Sequence, residues 1–581
     1  MRVGFCAVAI VAGLASANTS RAGETGTPVV ARAVGPMVQI FPTSVPAGEP
    51  EATLEAARGE WEPFQIVVHA AGAALAGVRA EATVLSGPGK LAAPRLYRVE
   101  YLDVKTPSSI EGHPGRWPDA LVPDVDAFAG ERRRAFPFAV PAGEARAVWV
   151  ELFVPTTATP GVYRGSVRVT ATGRAATTIP VELVVHKFAL PKTSSLPVTF
   201  GFAANALPKM HPGLSPEASA RLVHDYEVAL LRHRISAHGG TFDPPAWTST
   251  GGGGVRVDFA AYDAEVGPFL DGTADRGGPA DGARWSAFDF RMPQKLHGPE
   301  RADYAKKLAE HLRARGWLDR VFDYTFDEPT DKQMDELRRR ADEVHAAVPS
   351  VPRLVTHVLD PKLAGAVDIW CPPVNYVDDK AGNSNSPPRS AYDAALAKGA
   401  RVWWYQACMS HGCNIIGGEY FRGWPSYAID APAMSHRIFE WLTYRYKMGG
   451  ELYYDTVEAY AQGKDPWQDQ LLFGGNGDGT LFYPGTPRAI GGTRDVPVES
   501  VRLQLIREGL EDYEYLRLYE KVAGARAAEA LAATIAGKTY RWEHDAARLY
   551  AARHKMAQAI DEASVASRDA SPRLCRGECS H

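Results

Sequence analysis

The stretch "VFDYTFDEPT", Val321 to Thr330, joins the end of a strand to the start of a helix. Aromatic residues alternate with other residues in its first half, which is typical of a buried strand. Asp327 and Glu328 then stand side by side, followed by Pro329. Two adjacent carboxylates repel each other and pack poorly in a core, so they either stabilise the next helix or take part in chemistry.

The next helix can begin without either carboxylate. Thr330 and Gln333 have the spacing of a capping box, in which two side chains satisfy the first backbone N–H groups. Pro329 disfavours a helical backbone at Glu328, so the pair is predicted to be extended or in a turn. We predict that Asp327 and Glu328 reach one functional cavity; a role at the positive end of the helix dipole is the alternative.

Strand-like and helix-like segments alternate on both sides of this stretch. Helical periodicity marks residues 215–234, where Ser215 is the predicted N-cap, and also 300–317, 331–348, 390–400 and 432–449. The strand-like runs include "VTFGFAAN", "DIWCPPVNYV", "RVWWYQAC" and "ELYYDTV". Such βα units predict a parallel sheet or a (β/α)8 barrel. No Gly-rich dinucleotide fingerprint follows the first strand, which argues against a Rossmann fold.

Residues 27–190 differ, because β-rich runs separated by Gly and Pro continue without a long helical period. This spacing predicts a β-sandwich, whose role is support or carbohydrate contact. We therefore predict a multidomain protein. The predicted segments are a signal peptide (1–22), a β-sandwich (27–190), a (β/α)8 catalytic barrel (198–500), C-terminal helices packed on the barrel (501–565) and a tail (566–581).

The composition agrees with several soluble domains. The chain has 581 residues, too many for one ordinary core, and 45% are hydrophobic while 23% are charged. The net charge of −4 offers no basic excess to neutralise phosphates, which argues against nucleic acid as a partner. Residues 1–22 have Arg2, a short apolar run and small-residue cleavage sites, which predicts export to the periplasm or the outside. No later stretch is predicted to span a membrane.

The sequence leaves the disulfide pairing of the cysteines open. Cys6 lies in the predicted signal, and the mature chain keeps Cys371, Cys408, Cys413, Cys575 and Cys579. The run "CMSHGC" (408–413) fits a small disulfide loop or loop thiols better than a metal site, because no fourth metal ligand is apparent. An odd number leaves at least one thiol without an intrachain partner. We predict no metal and no cofactor.

Adjacent carboxylates suit one form of glycoside hydrolysis. A glycosidase needs two carboxyl groups, one of which donates a proton to the leaving oxygen. Consecutive residues are poorly placed to flank one bond from opposite faces. They suit a mechanism in which a 2-acetamido group of the substrate attacks the anomeric carbon, one carboxylate orients that group and the other protonates the leaving oxygen.

Aromatic and amide residues near the predicted strand ends fit sugar binding, since apolar sugar faces stack on rings and hydroxyl groups need polar partners. Trp404 and Tyr405 alternate along one strand, so at most one of them points into the barrel. His357 is a weaker candidate, because a satisfied core histidine is equally expected. The predicted substrate-binding residues are Trp370, Asn375, Tyr376, Trp404, Tyr405, Gln406 and Tyr454.

Several motifs, taken in order, resemble glycoside hydrolase family 123 and its relatives with domain of unknown function 4091. They are "GEWEPFQIVV", "WPDALVP", "TFDEP", "DIWCPPVNY", "WWYQAC", "GDGTLFYPG" and "SVRLQLIREGLEDYEYL". The resemblance implies a β-sandwich, a (β/α)8 barrel and a retaining, substrate-assisted β-N-acetylgalactosaminidase without metal or cofactor. Carried over, Asp327 would stabilise the acetamido group and the oxazolinium intermediate, and Glu328 would be the general acid/base.

The leading hypothesis is thus an exported glycoside hydrolase that releases a terminal 2-acetamido sugar from a glycan or glycoconjugate, with β-N-acetylgalactosamine favoured. A glycosidase of the same fold acting on another sugar is one alternative; it would need a separate nucleophile, with Asp323, Asp360, Asp378 and Asp455 nearby in the sequence. The other alternative is a non-catalytic carbohydrate-binding protein, against which the intact carboxylate pair argues.

Overall fold

The computed structural model describes residues 26–240, 242–382, 386–413 and 418–569. Within these residues, strands dominate up to Ala189, and strands alternate with helices from Val198 onward. The predicted order of a strand-rich N-terminal part and a C-terminal part with helices is therefore confirmed. The predicted signal peptide and the tail with Cys575 and Cys579 lie outside the described residues.

The N-terminal part forms two sheets that face each other across an apolar core. Phe64 and Ile66 of one sheet and Val167 and Leu183 of the other belong to this core. Its strands are β1 (Val30–Val34), β2 (Ala52–Arg58), β3 (Glu60–His69), β4 (Leu75–Ala82), β5 (Leu85–Ser86), β6 (Lys90–Leu91), β7 (Arg95–Val104), β8 (Gly115–Pro123), β9 (Phe138–Val140), β10 (Ala145–Val154), β11 (Gly161–Thr170) and β12 (Thr177–Ala189). Among these strands, one sheet has the order β1-β3-β10-β7-β8 and the other contains β2-β12-β11-β4-β9.

The C-terminal part contains the strands and helices that position the carboxylate pair. Its strands are β13 (Val198–Gly201), β14 (Ser236–His238), β15 (Ala246–Gly251), β16 (Gly254–Asp258), β17 (Phe288–Asp289), β18 (Val321–Phe326), β19 (Arg353–Val355), β20 (Ile369–Trp370), β21 (Arg401–Val402), β22 (Trp404–Tyr405), β23 (Glu451–Tyr453), β24 (Leu471–Leu472), β25 (Gly475–Asn476), β26 (Phe482–Gly485) and β27 (Val496–Glu499). Its helices are α1 (Leu207–Met210), α2 (Pro216–Arg232), α3 (Ala260–Asp271), α4 (Gly298–Ala314), α5 (Met334–Ala347), α6 (Arg389–Ala397), α7 (Phe439–Tyr446), α8 (Glu458–Ala461), α9 (Pro487–Ile490), α10 (Val501–Ala523), α11 (Ala525–Ile535) and α12 (Ala546–Asp569).

Several sequence-based boundaries need correction. The predicted helix 432–449 is divided into a 3₁₀ turn, Ala433–His436, and the short helix α7. The run "DIWCPPVNYV" holds only the short strand β20, because the two prolines at 372 and 373 cannot donate to a ladder, and a 3₁₀ turn, Val374–Tyr376, follows. Helix α2 begins as predicted: Ser215 accepts a hydrogen bond from the N–H of Ala218 at 3.2 Å.

The parallel strands pair in two sets, β14-β13-β23-β22 and β17-β18-β19-β20-β21, within the described chain. Strands β21 and β22 are parts of one extended segment separated by Trp403. Pro373, beyond the end of β20, also pairs in parallel with Tyr405 of β22. Between β14 and β17, the N–H of Ser286 donates to Ser236 Oγ at 2.8 Å. The two sets therefore contact each other at both edges.

Side chains alternate between two environments along these strands, as β geometry requires. One environment is a small inner cluster made of Ala287, Phe322, Leu354, Ile369, Cys371, Trp403, Tyr405 and Leu452. The intervening residues Trp370, Trp404 and Tyr453 belong to the large core that also includes the surrounding helices. We call these two environments the inner face and the outer face.

Buried charges connect helix α10 to the N-terminal sheets. Arg502 makes two hydrogen bonds to Asp119 of β8, at 2.9 and 2.8 Å, and Arg507 donates to Glu151 of β10 at 2.7 Å. Burying a charge is costly unless it is paired, so these contacts require the helix and the sheets to meet in one register. This explains the many charges of the "SVRLQLIREGLEDYEYL" motif, which amphipathic periodicity alone would assign to solvent.

Arg437 extends the same buried network and provides a test of it. Its guanidinium is fully buried and donates to both carboxylate oxygens of Asp512, at 2.7 and 2.9 Å. We expect Arg437→Ala to lower the free energy of unfolding by about 3–5 kcal/mol, because the buried carboxylates of Asp512 and Glu508 would both lose this cation. Asp512 would keep its contacts with Arg553 and Trp441. The control Arg339→Ala removes an exposed pair with Glu343 and should cost about 0.3–0.5 kcal/mol. Equal shifts of the urea midpoint for both variants would contradict this account.

Candidate active site

The chain turns sharply where strand β18 ends. Glu328 has a φ of 39°, in the left-handed region that residues other than glycine rarely adopt. Its N–H donates to Thr356 Oγ1 at 2.7 Å, which fixes the turn to the end of β19. Both Asp327 and Glu328 are exposed. The predicted turn is confirmed, and so is the capping box, since Gln333 Oε1 accepts the N–H of Thr330 at 3.0 Å.

Two hydroxyl groups hold Asp327. Tyr324 Oη and Thr356 Oγ1 each donate to Asp327 Oδ1 at 2.9 Å. Burial, together with the charge of Asp327, raises the pKa of the Tyr324 phenol well above its usual value, so the phenol remains a donor. Both donors use the same oxygen, and among the described residues none donates to Oδ2. Asp327 is thus oriented with one oxygen available to a ligand.

Glu328 has different partners. Tyr405 Oη donates to Glu328 Oε1 at 2.5 Å. Burial and the charge of Glu328 raise the pKa of Tyr405, and the same two causes raise the pKa of Tyr376, which places Tyr376 near this carboxylate as well. The two neighbouring carboxylates therefore point to different sides: Asp327 to β18 and β19, and Glu328 to the β22 side.

This asymmetry suits a division of chemical roles. Asp327 accepts two hydroxyl hydrogen bonds through one oxygen, which fixes the orientation of its carboxyl group. Glu328 has one hydroxyl donor and lies open to solvent at the tip of the turn. An exposed carboxyl with a free oxygen can exchange a proton with a bound substrate or with water. The geometry therefore allows Asp327 to act as a fixed charge and Glu328 as an acid and base.

Some of the predicted substrate-binding residues lie close to this pair, and others contact different residues. Tyr405 and Tyr376 are at Glu328. Tyr454 follows β23. Burial raises the pKa of its phenol, and so does the charge of Asp478, which lies nearby. Asn375 and Gln406 are almost fully buried; Asn375 Nδ2 donates to Tyr420 Oη at 3.4 Å, and Gln406 Nε2 donates to the carbonyl of Ala407 at 3.1 Å.

Trp370 and Trp404 require correction, because both are buried on the outer face. Trp404 is fully buried; its indole donates to Thr443 Oγ1 at 2.7 Å and stacks on Phe439 of α7. Trp370 belongs to the same large core and is 9% exposed. A ring packed between strand and helix cannot stack on a sugar, so we leave both tryptophans out of the site. His357, the weaker candidate, contacts the carbonyl of Val358 through Nδ1 at 2.8 Å.

The segment after Tyr405 forms a small disulfide loop. Cys408 and Cys413 are bonded, which confirms the disulfide alternative, and Cys371 is a free, buried thiol on the inner face. His411 within the loop lies 3.5 Å from Asp478 Oδ2, measured from Nε2. Both side chains are buried, so the glycine-rich run that holds Asp478 is packed against the disulfide loop.

The alternative nucleophiles have other contacts. Asp323 faces away from the inner cluster and accepts a hydrogen bond from Thr325 Oγ1 at 2.5 Å. Asp360 accepts a hydrogen bond from the N–H of Lys362. Asp378 accepts hydrogen bonds from Tyr446 and Thr539. Asp455 accepts hydrogen bonds from backbone N–H groups after β23. None of the four contacts Asp327 or Glu328 in the described chain.

The structure adds residues that sequence reasoning missed. Tyr324 and Thr356 hold Asp327 directly, yet only Tyr324 carried a signal, through its alternation with Phe322 in the strand. Thr356 follows a short strand, and a single threonine has no distinctive pattern. Cavities of about 350 and 370 Å³ lie elsewhere, beside Trp61 and beside Met292, and neither is lined by Asp327 or Glu328. Within the described residues, no group of three or more His, Cys, Asp or Glu could hold a metal ion, and no helix has the length and apolar character of a membrane span.

Comparisons with known proteins point to one family. The sequence model of the glycoside hydrolase 123 catalytic domain matches residues 300–519, which include the carboxylate pair. The model of the glycoside hydrolase 123 N-terminal domain matches residues 42–171. No curated protein matches the chain significantly.

A family 123 glycoside hydrolase from Clostridium perfringens, studied for glycolipid glycan hydrolysis, has a similar fold. Its TM-score is 0.64 at 12% identity, over 93% of this chain and 100% of the other. Two other solved enzymes are too distant to support an argument. A Bacteroides ovatus GH5 xyloglucanase has a TM-score of 0.26 at 10% identity, over 81% of this chain and 100% of the other. An Eisenbergiella tayi GH2 beta-galacturonidase has a TM-score of 0.25 at 9% identity, over 78% of this chain and 69% of the other.

The matched domains lie in the same order as the two parts of the fold, and together they account for more than half of the chain. The solved family member covers nearly all of it. The carboxylate pair lies inside the matched catalytic domain. The chain therefore belongs to glycoside hydrolase family 123, and its substrate is a carbohydrate.

Proposed function

We propose that the protein is an exported, retaining glycoside hydrolase that releases a terminal 2-acetamido sugar, with β-N-acetylgalactosamine favoured. One observation carries the proposal: Asp327 and Glu328 are consecutive residues on one turn, yet each is held by its own partners. The sequence-based roles for these two residues agree with this geometry.

The adjacency of the carboxylates argues for help from the substrate. A nucleophilic carboxylate must attack the sugar from the face opposite the leaving group, so the two carboxyl groups of an ordinary retaining enzyme flank the bond. Asp327 and Glu328 project from the same turn at the end of β18 and cannot do so. The acetamido oxygen at C2 can approach that face, and it becomes the nucleophile.

The proposed reaction has two steps. In the first, the acetamido carbonyl oxygen forms a bond to C1 while the glycosidic bond breaks and Glu328 gives its proton to the leaving oxygen. Asp327 accepts a hydrogen bond from the amide N–H and stabilises the positive oxazolinium. In the second, Glu328 takes a proton from water as the water oxygen bonds to C1 and reopens the ring. Two inversions give a product that retains its configuration.

Several further features support the proposal. The two sets of parallel strands contact each other at both edges, which is what a closed (β/α)8 barrel requires, and the pair follows a strand at its carboxyl end, where barrel enzymes place their catalytic residues. The N-terminal sheets would be the β-sandwich, with the domain boundaries predicted above. The related Clostridium perfringens enzyme hydrolyses glycans of glycolipids, so a glycoconjugate is a suitable substrate class.

Aryl glycosides test the substrate class. We expect turnover of 4-nitrophenyl β-N-acetylgalactosaminide, less of the N-acetylglucosaminide, and none of the plain β-galactoside, because only the first two carry the internal nucleophile. A thiazoline analogue of the acetamido sugar, which resembles the oxazolinium, should inhibit competitively. Turnover of the plain galactoside, or indifference to the thiazoline, would contradict the substrate-assisted mechanism.

Substitutions test the two roles. Glu328→Gln should lower kcat/KM by about 10²- to 10⁴-fold on substrates with poor leaving groups and much less on those with good ones, since only the former need a proton. Asp327→Asn should lower kcat/KM on both kinds. The control Asp331→Asn changes an exposed carboxylate at the start of the next helix and should leave both rates unchanged. Wild-type rates for both test variants would show that the pair is structural.

A further inference from the structure

Asp289 is a second acidic group on the inner face. It ends strand β17, beside β18, and lies two residues after Ala287, which belongs to the inner cluster. Because side chains two apart share a face of a strand, Asp289 points into the same space as Tyr324. The N–H of Tyr324 approaches Asp289 Oδ1 at 3.5 Å, which is a long contact.

Asp289 has few partners for a carboxylate that is half-buried. Within the described part of the chain, the Tyr324 N–H is its one hydrogen-bond donor, and it has no ion pair. A carboxylate has room for about four hydrogen bonds, and buried polar groups are normally satisfied. Neither sequence motifs nor the family comparison assigns it a role. Its second carboxylate oxygen is therefore available to a ligand group.

The surroundings of Tyr324 and Asp289 include a buried histidine. His238, at the end of β14, places its ring 6.0 Å from that of Tyr324 in a T-shaped contact. Its Nδ1 lies 3.0 Å from Thr199 Oγ1, and among the described residues its Nε2 has no partner. Burial lowers the pKa of His238 to about 4, so the ring is neutral near pH 7 and does not neutralise Asp289. Burial and the charge of Asp323 raise the pKa of Asp289 to about 7.

Tyr324 relates Asp289 to the carboxylate pair. Its backbone N–H faces Asp289 and its phenol donates to Asp327, so the two aspartates contact opposite ends of one tyrosine. Tyr405, which holds Glu328, lies on β22, and strand order places β22 and β17 on opposite sides of the inner face.

We propose that Asp289 is a specificity-determining residue that binds the hydroxyl groups at C4 and C6 of the sugar to be released. This inference rests on the proposed function. Glu328 protonates the leaving oxygen at C1, and Asp327 holds the group at C2. The C4 and C6 hydroxyls form the opposite edge of the ring, and Asp289 lies across the inner face from Tyr405, the residue that holds Glu328. A carboxyl group can accept a hydrogen bond from a hydroxyl in either protonation state.

The test combines a protein change with a substrate change. Asp289→Ala should lower kcat/KM on the parent aryl glycoside by about 10- to 100-fold, the usual effect of losing a hydrogen bond to a charged group. On the 4-deoxy and the 6-deoxy analogue the same variant should lose less than on the parent, because one of the two hydroxyls that it binds is already gone. Losses that multiply independently on both analogues would overturn the inference.

Matched controls separate a specific effect from misfolding. Asp342→Asn changes an exposed carboxyl on helix α5, and it should leave the ratio of parent to deoxy rates unchanged. Asp289→Asn keeps the shape of the side chain and one acceptor oxygen, so its loss should be smaller than that of Asp289→Ala. Equilibrium binding of the thiazoline to each variant gives the same comparison without turnover.

The outcomes also distinguish this inference from the proposed function. If the wild type hydrolyses a sugar without an acetamido group, the proposed function fails, and the deoxy series of that sugar tests Asp289 in the same way. If acetamido sugars are hydrolysed but the Asp289 and deoxy losses multiply, the proposed function stands and Asp289 has another role.

Discussion

Two hydrogen bonds, from Tyr324 and Thr356 to a single oxygen of Asp327, determine the arrangement of the site. The bond from Thr356 joins the end of β18 to the end of β19, so it depends on the register between these strands. That register shifts between Tyr324 and Phe326, where Thr325 is an extra residue. Such bulges redirect side chains near active sites. Here the bulge lets Tyr324 and Asp327 meet, and the left-handed backbone of Glu328 then turns the second carboxylate away.

The remaining structure supports this arrangement from a distance. The inner cluster fills the space below the pair with large rings such as Phe322 and Trp403, which fixes the strand ends laterally. Helix α10 joins the N-terminal sheets to the catalytic part through buried ion pairs, including Arg502 with Asp119. Buried ion pairs add little net stability, but any arrangement that leaves one of their charges buried and unpaired is strongly destabilised. The charged layer therefore specifies how the two parts meet.

The strongest sequence signals corresponded to local chemistry. The capping box at Thr330, the strand before Asp327 and the disulfide loop at Cys408 depend on nearby residues, and the structure contains all three. The errors arose where tertiary packing decides. Trp404 looked suitable for sugar binding, but a one-residue shift in a strand changes the face, and α7 covers that face. The role of Thr356 depends on a register that no single sequence displays.

Family membership and site geometry contribute different parts of the conclusion. The family establishes a glycosidase with a carbohydrate substrate, and the fold comparison extends over nearly the whole chain. The choice of a substrate-assisted mechanism rests instead on the placement of Asp327 and Glu328 on one turn. Fold alone does not determine a sugar, so the proposed acetamido sugar depends on that placement.

The most direct measurement of the central claim is the rate on aryl glycosides whose acetamido group carries zero, one, two or three fluorine atoms. Fluorine withdraws electrons from the carbonyl oxygen and makes it a poorer nucleophile. If that oxygen attacks C1, kcat/KM falls steeply and steadily along the series. A flat series, with the trifluoroacetamido substrate hydrolysed as fast as the parent, would show that the acetamido group takes no part and would contradict the account.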